Sequence, residues 1–534
     1  MTMKILVTDD VSPKGVELLR NNGFEVDVTP NLSEEEFIKV IPPYDAFIMR
    51  SLTKVTAAGM DAGKKLKALG RAGAGVDHID IKAATERGIV VCNTPDSNTM
   101  AATEHTCAML LASTRHIPQA HNSLMAGEWN RKKFIGVQLQ NKTLGIIGVG
   151  RIGSRVAKRM QAFEMRTIGY DPYISKERGR QLGVELVDLD TLLRESDFIT
   201  LHTPLTQETR GMIGPDEFAK MKEGVRIVNV SRGPVLDVEA LAENLKSGHV
   251  ADAAVDVFPN EPVTLDNNPF LGLDRIVITP HMGASTEEAQ LAVSIDAAQG
   301  VIDALNGAPV ATAVNMAPVP KAVYEKIQPY FDLVERMGIL GVYLGEGAVK
   351  EVTVEYNGEL VDVETELLTT TALKGILSPV LQESVNFVNA RNIAEARDIV
   401  VKEVKTKGNG PVANAITLTL VTEKNTHKIV GTLFNGAEAK IVQVDDYRLD
   451  FTPEGYLLLA PHHNRPNMIG QISTILGQAG INITGMQVGK TTDTDTNIMA
   501  IAVQEDISND IMLKLKAIEG ILEIKLINCE PGQH

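Results

Sequence analysis

Short apolar runs separated by amphipathic stretches open the chain, and this alternation sets the first expectation. KILVTD from Lys4, FEVDVT from Phe24 and DAFIMR from Asp45 read as strands. Between them, PKGVELLRNNG, closing on Gly23, and SEEEFIKVI place apolar residues at helical spacing. Strands alternating with helices predict an α/β sheet domain. KALGRAGAGVDHID and GIVVCNT carry it to about Asn93. Ser97 to Leu111 then turns helical, so a boundary is expected near Pro95.

From Lys142 the alternation resumes as strand, glycine turn, helix (Arg155 to Phe163) and strand (RTIGYD), followed by strand candidates DFITLHT, VRIVNV, ADAAVDV and RIVITP. Repeated βα units of this kind make a parallel sheet. Ser285-Thr286-Glu287-Glu288 reads as a capping box for a helix over Glu287 to Leu305, long enough to cross between lobes. Beyond Asn315 the pattern predicts helices around Lys321 to Leu340 and near Leu377 to Asn386, a strand EVTVEY, and alternating ITLTLVT and HKIVGTLF. From about Phe451 the order YLLLAP, MIGQISTILGQAG, NITGMQVGK, NIMAIAVQ, IMLKLKAIEG, ILEIKLIN is β-α-β-β-α-β, a ferredoxin-like unit.

Composition narrows the class. At 534 residues the chain holds three or four domains, and 44% hydrophobic with 22% charged residues is a soluble globular balance. A net charge of -16 without a basic block argues against nucleic acid or an anionic membrane as partner. Cys92, Cys107 and Cys529 lie far apart with no C-x-x-C spacing, which argues against a disulfide framework or zinc ribbon, and no metal site is expected. A reducing, cytoplasmic setting fits. MTMKILVTDD reads as a strand rather than a signal peptide, and no run of about 18 apolar residues occurs.

The chemistry begins at LGIIGVGRIGSRVA. Gly148, Gly150 and Gly153 form a G-x-G-x-x-G between a strand and a helix, where the backbone at Arg151 and Ile152 would meet a pyrophosphate. Asp171, ending RTIGYD, is placed to accept from ribose hydroxyls and to repel a 2′-phosphate, which favours NAD over NADP. Three side chains follow later strands: Arg232 in SRGP, Glu261 in FPNEP and His281 in PHMGAS. A histidine can move the proton that accompanies hydride transfer at a carbinol carbon, a carboxylate can orient it, and an arginine can fork onto a substrate carboxylate. His281, Glu261 and Arg232 are the candidate acid/base, its partner and the substrate anchor.

Taken in order, GVGRIG, NVSRGP, DVFPNEP and PHMGAS resemble the motifs of the D-isomer-specific 2-hydroxyacid dehydrogenases, from about Lys4 to Asn315. RAGAGVDHID, GEWNRKKFIG and PHMGAST are in the style of the branch that acts on 3-phosphoglycerate, in its long form with an intervening and an ACT regulatory domain. The resemblance implies a Rossmann-type nucleotide domain (98–285) inserted in a flavodoxin-like substrate domain (1–97 and 286–314), then an α+β intervening domain (315–451) and a ferredoxin-like ACT domain (452–534). It implies NAD-dependent oxidation of the hydroxy acid as the first step of serine synthesis, with L-serine as possible inhibitor, in a homo-oligomer such as a dimer or tetramer. It also assigns substrate contacts to Arg50, Ser51, Arg71, Ala74, Gly75, Val76, Arg131 and Lys132, a place near the nicotinamide amide to Asp256, and effector contacts to His462, Asn464 and Asn482. Two departures stand out: Pro234 replaces the second glycine of the family's R-G-G, and Asn467 replaces a glycine in the ACT-like end. Rival readings are a glyoxylate or hydroxypyruvate reductase, which would not need the three arginines together, and a non-enzymatic NAD sensor.

Overall fold

The computed structural model describes residues 2–8, 11–30, 32–50, 53–308, 310–316, 321–381, 385–407, 412, 414–491 and 495–530. Its first sheet holds β1 (Lys4–Thr8), β2 (Glu25–Thr29), β3 (Ala46–Met49), β4 (Ala68–Arg71) and β5 (Val90–Cys92), all parallel in the order β2-β1-β3-β4-β5. This is the flavodoxin-like order. AFIM of β3 is buried at every position, as a strand covered on both faces requires.

The second sheet follows as β6 (Thr143–Ile147), β7 (Arg166–Tyr170), β8 (Glu185–Leu186), β9 (Phe198–Leu201), β10 (Val225–Asn229), β11 (Val250–Val255) and β12 (Ile276–Ile278). Its order, β12-β11-β10-β9-β6-β7-β8, reverses direction between β6 and β9, so the crevice at that switch point lies beside the glycine turn. The helix expected from Glu287 to Leu305 is observed with those bounds, capped by the Thr286 side chain accepting from the Ala289 amide. It returns to the first sheet, where Val293, Ala297 and Val301 are buried with Ile5, Ile48 and Ala68. Asn315 then ties the return to β5, accepting from the Val91 amide at 2.9 Å and donating to the Ile89 carbonyl at 2.8 Å. The leading segment is therefore half of a lobe completed two hundred residues later, which explains why the glycine turn comes late.

Ten strands form the third sheet: β13 (Val349–Asn357), β14 (Val400–Thr406), β15 (Ile416–Thr422), β16 (Thr426–Phe434), β17 (Glu438–Val444), β18 (Tyr447–Phe451), β19 (Tyr456–His463), β20 (Ile483–Lys490), β21 (Thr496–Val503) and β22 (Lys525–Asn528). The last four keep the ferredoxin-like order β22-β19-β21-β20, and β20 joins β18 through Arg448 and Lys490, so the two C-terminal units share one sheet.

Two expected helices differ. Lys321 to Leu340 is broken into Lys321–Ile327, a 3-10 turn over Gln328–Tyr330 and Phe331–Leu344, because Pro329 withholds a ladder donor. Of the helix expected near Leu377 to Asn386, residues 382–384 lie outside the described residues; the described chain is helical over Glu366–Leu377 and again over Ala390–Ala396. Pro379 ends the first of these, and its run of buried residues hides the period a half-exposed helix would show.

Candidate active site

Strand β6 delivers the chain into the glycine turn and Gly150 caps the helix Arg151–Gln161. Gly148 adopts φ +90° and lies so close to the His202 carbonyl that a Cβ would stand 2.7 Å from its oxygen. A Cβ on Gly153 would meet the Gly148 carbonyl, so this glycine lets the helix close onto the turn, whereas one on Gly150 meets no protein atom within 4 Å. The turn is thus tight on the protein side and open where a pyrophosphate would lie, with the helix N-terminus behind it. Asp171 accepts from the Val149 amide at 3.0 Å and the Tyr173 amide at 2.9 Å, fixing its carboxylate at the lip of the turn. Arg151 pairs through Nε with Asp96 at 2.7 Å, beside the connection between the lobes, and Ile152 packs partly buried against the sheet core. The residues present fit a dinucleotide.

The three candidate catalytic side chains all leave C-terminal strand ends on this same edge. His281 Nδ1 lies 2.8 Å from Glu261 Oε2, and Glu261 Oε1 accepts from the Phe258 amide at 3.0 Å. Burial alone would raise the Glu261 acid, but the hydrogen bonds from His281 and Phe258 outweigh it and hold the carboxyl below its ordinary range. His281 keeps Nε2 away from these partners. It sits at φ +54°, a left-handed conformation uncommon for residues other than glycine. Across from it Arg232 donates from Nε to Asp77 Oδ2 at 3.0 Å and from Nη1 to the Ser231 carbonyl at 2.8 Å. Its Nη2 stands where a Cβ of Gly75 would be. Pro234 falls inside the 3-10 turn Gly233–Val235, in its first positions, where a missing N–H is tolerated.

Asp256 is fully buried beneath His281. It accepts from Thr279 Oγ1 (2.5 Å) and from the Met282 (2.8 Å) and Gly283 (2.9 Å) amides. From the first sheet, Arg50 follows β3 and Arg71 ends β4. Arg71 folds over Gly73 and donates from Nη1 to the Ala72 carbonyl at 2.9 Å. The amides of Ala74, Gly75 and Val76 make no hydrogen bond with any described residue, which leaves three donors on the loop facing Arg232. Ser51 lies outside the described residues.

Other expected site residues are not brought together within one chain. Arg131 and Lys132 occupy the exposed 3-10 turn Arg131–Phe134, whose Lys133 pairs with Asp274 (3.6 Å) just before β12, at the end of the sheet opposite His281. His462, buried near the end of β19, and Asn464 beyond it lie beside Asn497 in the register, whereas Asn482 precedes β20 next to Gln504. The two positions are separated by the length of β21, roughly 20 Å at 3.3 Å per residue. Asn467 does take the left-handed conformation, φ +70°, at the N-cap of Met468–Gln478.

Three side chains of this region escape the sequence reading. Asp77 carries a signal only in hindsight, in RAGAGVDHID. His202, next to Gly148, bonds through Nε2 with Thr200 Oγ1 at 3.0 Å, and burial pushes it down to about 3, so the ring is neutral. His105, far away in sequence, reaches Asp256.

The model of the D-isomer specific 2-hydroxyacid dehydrogenase NAD binding domain matches residues 107–283, and that of the D-3-phosphoglycerate dehydrogenase intervening domain matches 326–445. The chain is 43% identical to the D-3-phosphoglycerate dehydrogenase of Archaeoglobus fulgidus over 98% of its length and 99% of that protein's. It is 37% identical to that of Bacillus subtilis over 98% and 99%. Among solved structures it resembles D-lactate dehydrogenase from Aquifex aeolicus complexed with NAD and lactic acid, with TM-score 0.52 and 27% identity over 57% of this chain and 96% of that one. The apo D-lactate dehydrogenase of Escherichia coli gives TM-score 0.52 and 28% identity over 58% and 100%.

Proposed function

The chain belongs to the D-3-phosphoglycerate dehydrogenases of the D-isomer specific 2-hydroxyacid dehydrogenase family, and from that premise we propose how its residues carry the reaction. The reaction is the NAD-dependent oxidation of 3-phosphoglycerate to 3-phosphohydroxypyruvate. NAD, when bound, supplies the hydride acceptor. His281 removes the hydroxyl proton of the substrate through Nε2, and Glu261 fixes the ring through its Nδ1. Arg232 forks onto the substrate carboxylate, with Asp77 holding its Nε edge. Gly148, Gly150, Arg151, Ile152 and Gly153 would hold the pyrophosphate at the helix N-terminus, and Asp171 would accept from the ribose. Arg50, Arg71 and the amides of Ala74, Gly75 and Val76, which no described residue takes, receive the phosphate end. The observation that carries this reading is that the His281–Glu261 pair and Arg232 share one edge of the sheet, where Asp77 of the other lobe binds Arg232. NADH oxidation with 3-phosphohydroxypyruvate and with unphosphorylated hydroxypyruvate, at matched concentrations, tests it. Strong preference for the phosphorylated ketoacid is expected, and equal rates would reduce the enzyme to a general 2-hydroxyacid dehydrogenase.

The domain limits 1–97 with 286–314, 98–285, 315–451 and 452–534 are part of the same proposal, as are a place in serine synthesis and a cytoplasmic site of action. The three thiols are free, which supports a reducing compartment. Among the described residues no helix is long and apolar enough to cross a membrane. A homo-oligomer is supported by the helix Ile117–Met125, which buries no residue of its own, and by Trp129, 79% exposed beside Leu124, Met125 and Ile135. A second copy covering this face would bring Arg131 and Lys132 to a neighbouring cleft, and Leu124→Glu with Trp129→Glu should yield monomers in sedimentation velocity. His462, Asn464 and Asn482 form one effector site for L-serine only if a second copy supplies Asn482. Calorimetric titration of L-serine into the parent and Asn482→Ala tests that assignment.

A further inference from the structure

We propose that His105 is a positioning residue for the catalytic histidine: from the helix Thr99–Thr114 it holds, through Asp256, the loop Thr279–Gly283 in the conformation that presents His281 to substrate. The inference rests on the role assigned to His281 above. It starts from the spacing of Ala102, His105 and Met109, which puts them on one face of that helix. This face is the floor of the loop. A Cβ on Gly283 would contact the Ala102 methyl at 4.0 Å, His105 Nε2 lies 3.1 Å from Asp256 Oδ1 and 3.3 Å from Thr279 Oγ1, and the Met109 sulfur lies 3.6 Å from that same hydroxyl.

Asp256 is the hub. Its side chain collects Thr279, Met282 and Gly283, and its carbonyl accepts the His281 amide at 2.8 Å, so four of the five residues of the loop are tied to one buried residue. His281 needs this restraint, because a non-glycine residue at φ +54° persists only where its surroundings fix it. The Thr279 hydroxyl gives its hydrogen to Asp256 and is left able only to accept, so His105 donates from Nε2 to both oxygens. That makes His105 the one side chain outside the loop on this carboxylate among the described contacts. Burial pushes the Asp256 acid up, and the His105 hydrogen bond is foremost among those that hold it below its ordinary range. Without His105 a buried charge has lost its outer partner, and a protonated Asp256 would no longer accept from both loop amides.

The test compares His105→Leu, His105→Gln and His281→Gln in the full-length enzyme, by kcat and KM for 3-phosphohydroxypyruvate, NADH affinity from fluorescence, and Tm. Glutamine places an amide N–H near the position of Nε2 and should restore the bond. His105→Leu is expected to lower kcat by on the order of 10- to 100-fold, as misplacing a reacting group does, with KM little changed. His105→Gln should recover most of that loss. If His105→Leu turns over like the parent while His281→Gln is inactive, His105 has no positioning role; if His281→Gln itself turns over, the reading of His281 falls first. Equal kcat losses in the leucine and glutamine variants, tracking equal losses of Tm, would also overturn the proposal and leave His105 as a packing residue.

Discussion

The two ends of the seven-stranded sheet carry the same kinds of residue arranged to opposite purposes. At the N-terminal end Asp252 is met by Arg226 Nε at 3.1 Å, His116 Nδ1 at 3.3 Å and Arg275 Nη1 at 3.6 Å, and Arg275 also takes His116 Nε2 at 3.0 Å. Both ring nitrogens face a charged side chain, and Asp252 and His116 are buried. At the C-terminal end Arg232, Asp77, Glu261 and His281 are part exposed, His281 by 48%, and the imidazole spends only Nδ1 on its carboxylate. A histidine, an acid and an arginine do not make a site by being close together. What distinguishes the reactive end is a ring nitrogen and the amides of residues 74–76 that no described residue takes, and an open face at Gly150.

The sharpest way to break this contrast is to remove one member from each end. His281→Gln should reduce kcat by about 10²- to 10⁴-fold, the range for loss of a general acid/base, with NADH binding and Tm retained. Asp252→Ala should do the reverse, lowering unfolding stability by about 3 to 5 kcal/mol, because Arg226 is left beside no carboxylate, with kcat unchanged in the folded fraction. Denaturant titration read alongside initial rates separates the two. If Asp252→Ala also abolished turnover in a folded protein, the far cluster would belong to the function. A smaller effect is expected for Asp77→Asn. The Arg232–Asp77 pair is part exposed, so it is worth about 0.2 to 1 kcal/mol, and KM for the ketoacid should rise by at most about fivefold. A fall in KM would mean that Asp77 competes with substrate for Arg232 instead of aiming it.

Much of the reactive end was legible because each of its parts follows an apolar strand: the glycine turn after β6, Asp171 after β7, Arg232 after β10, Glu261 after β11 and His281 after β12. Strand periodicity placed them on one edge without any distance being known. The partners that complete them were not legible, since Asp77 and His105 reach Arg232 and Asp256 across more than a hundred residues of sequence. Motif resemblance names residue types but not which chain brings them together: within one chain Arg131 and Lys132 lie at the end of their sheet opposite His281, and Asn482 lies a strand length from His462. In the C-terminal half, Glu366–Leu377 was missed for a related reason: a helix packed on most sides carries no polar stripe to read.

The smallest effect concerns pH, and it again sets the two ends against each other. Burial raises the Asp252 acid despite His116 and the arginines, whereas Asp256 and Glu261 are held low by their hydrogen bonds. Between the ordinary carboxylate value of about 4 and its own raised value, Asp252 makes the folded state bind more protons than the unfolded chain, so it contributes a loss of stability as pH rises through that window. For Asp256 and Glu261 the sign is opposite: their stabilisation is present above the unfolded value and is lost as pH falls through the lower folded ones. Asp252→Asn deletes only the first contribution. Its Tm should therefore climb more steeply with pH above about 4 than the parent's does, while the acid limb below that value stays the same. Thermal unfolding followed from pH 3 to 7 in both proteins checks this. Parallel curves above pH 4 would mean that Asp252 is already ionised at no cost, and that the closed cluster is balanced by its cations as fully as the open one.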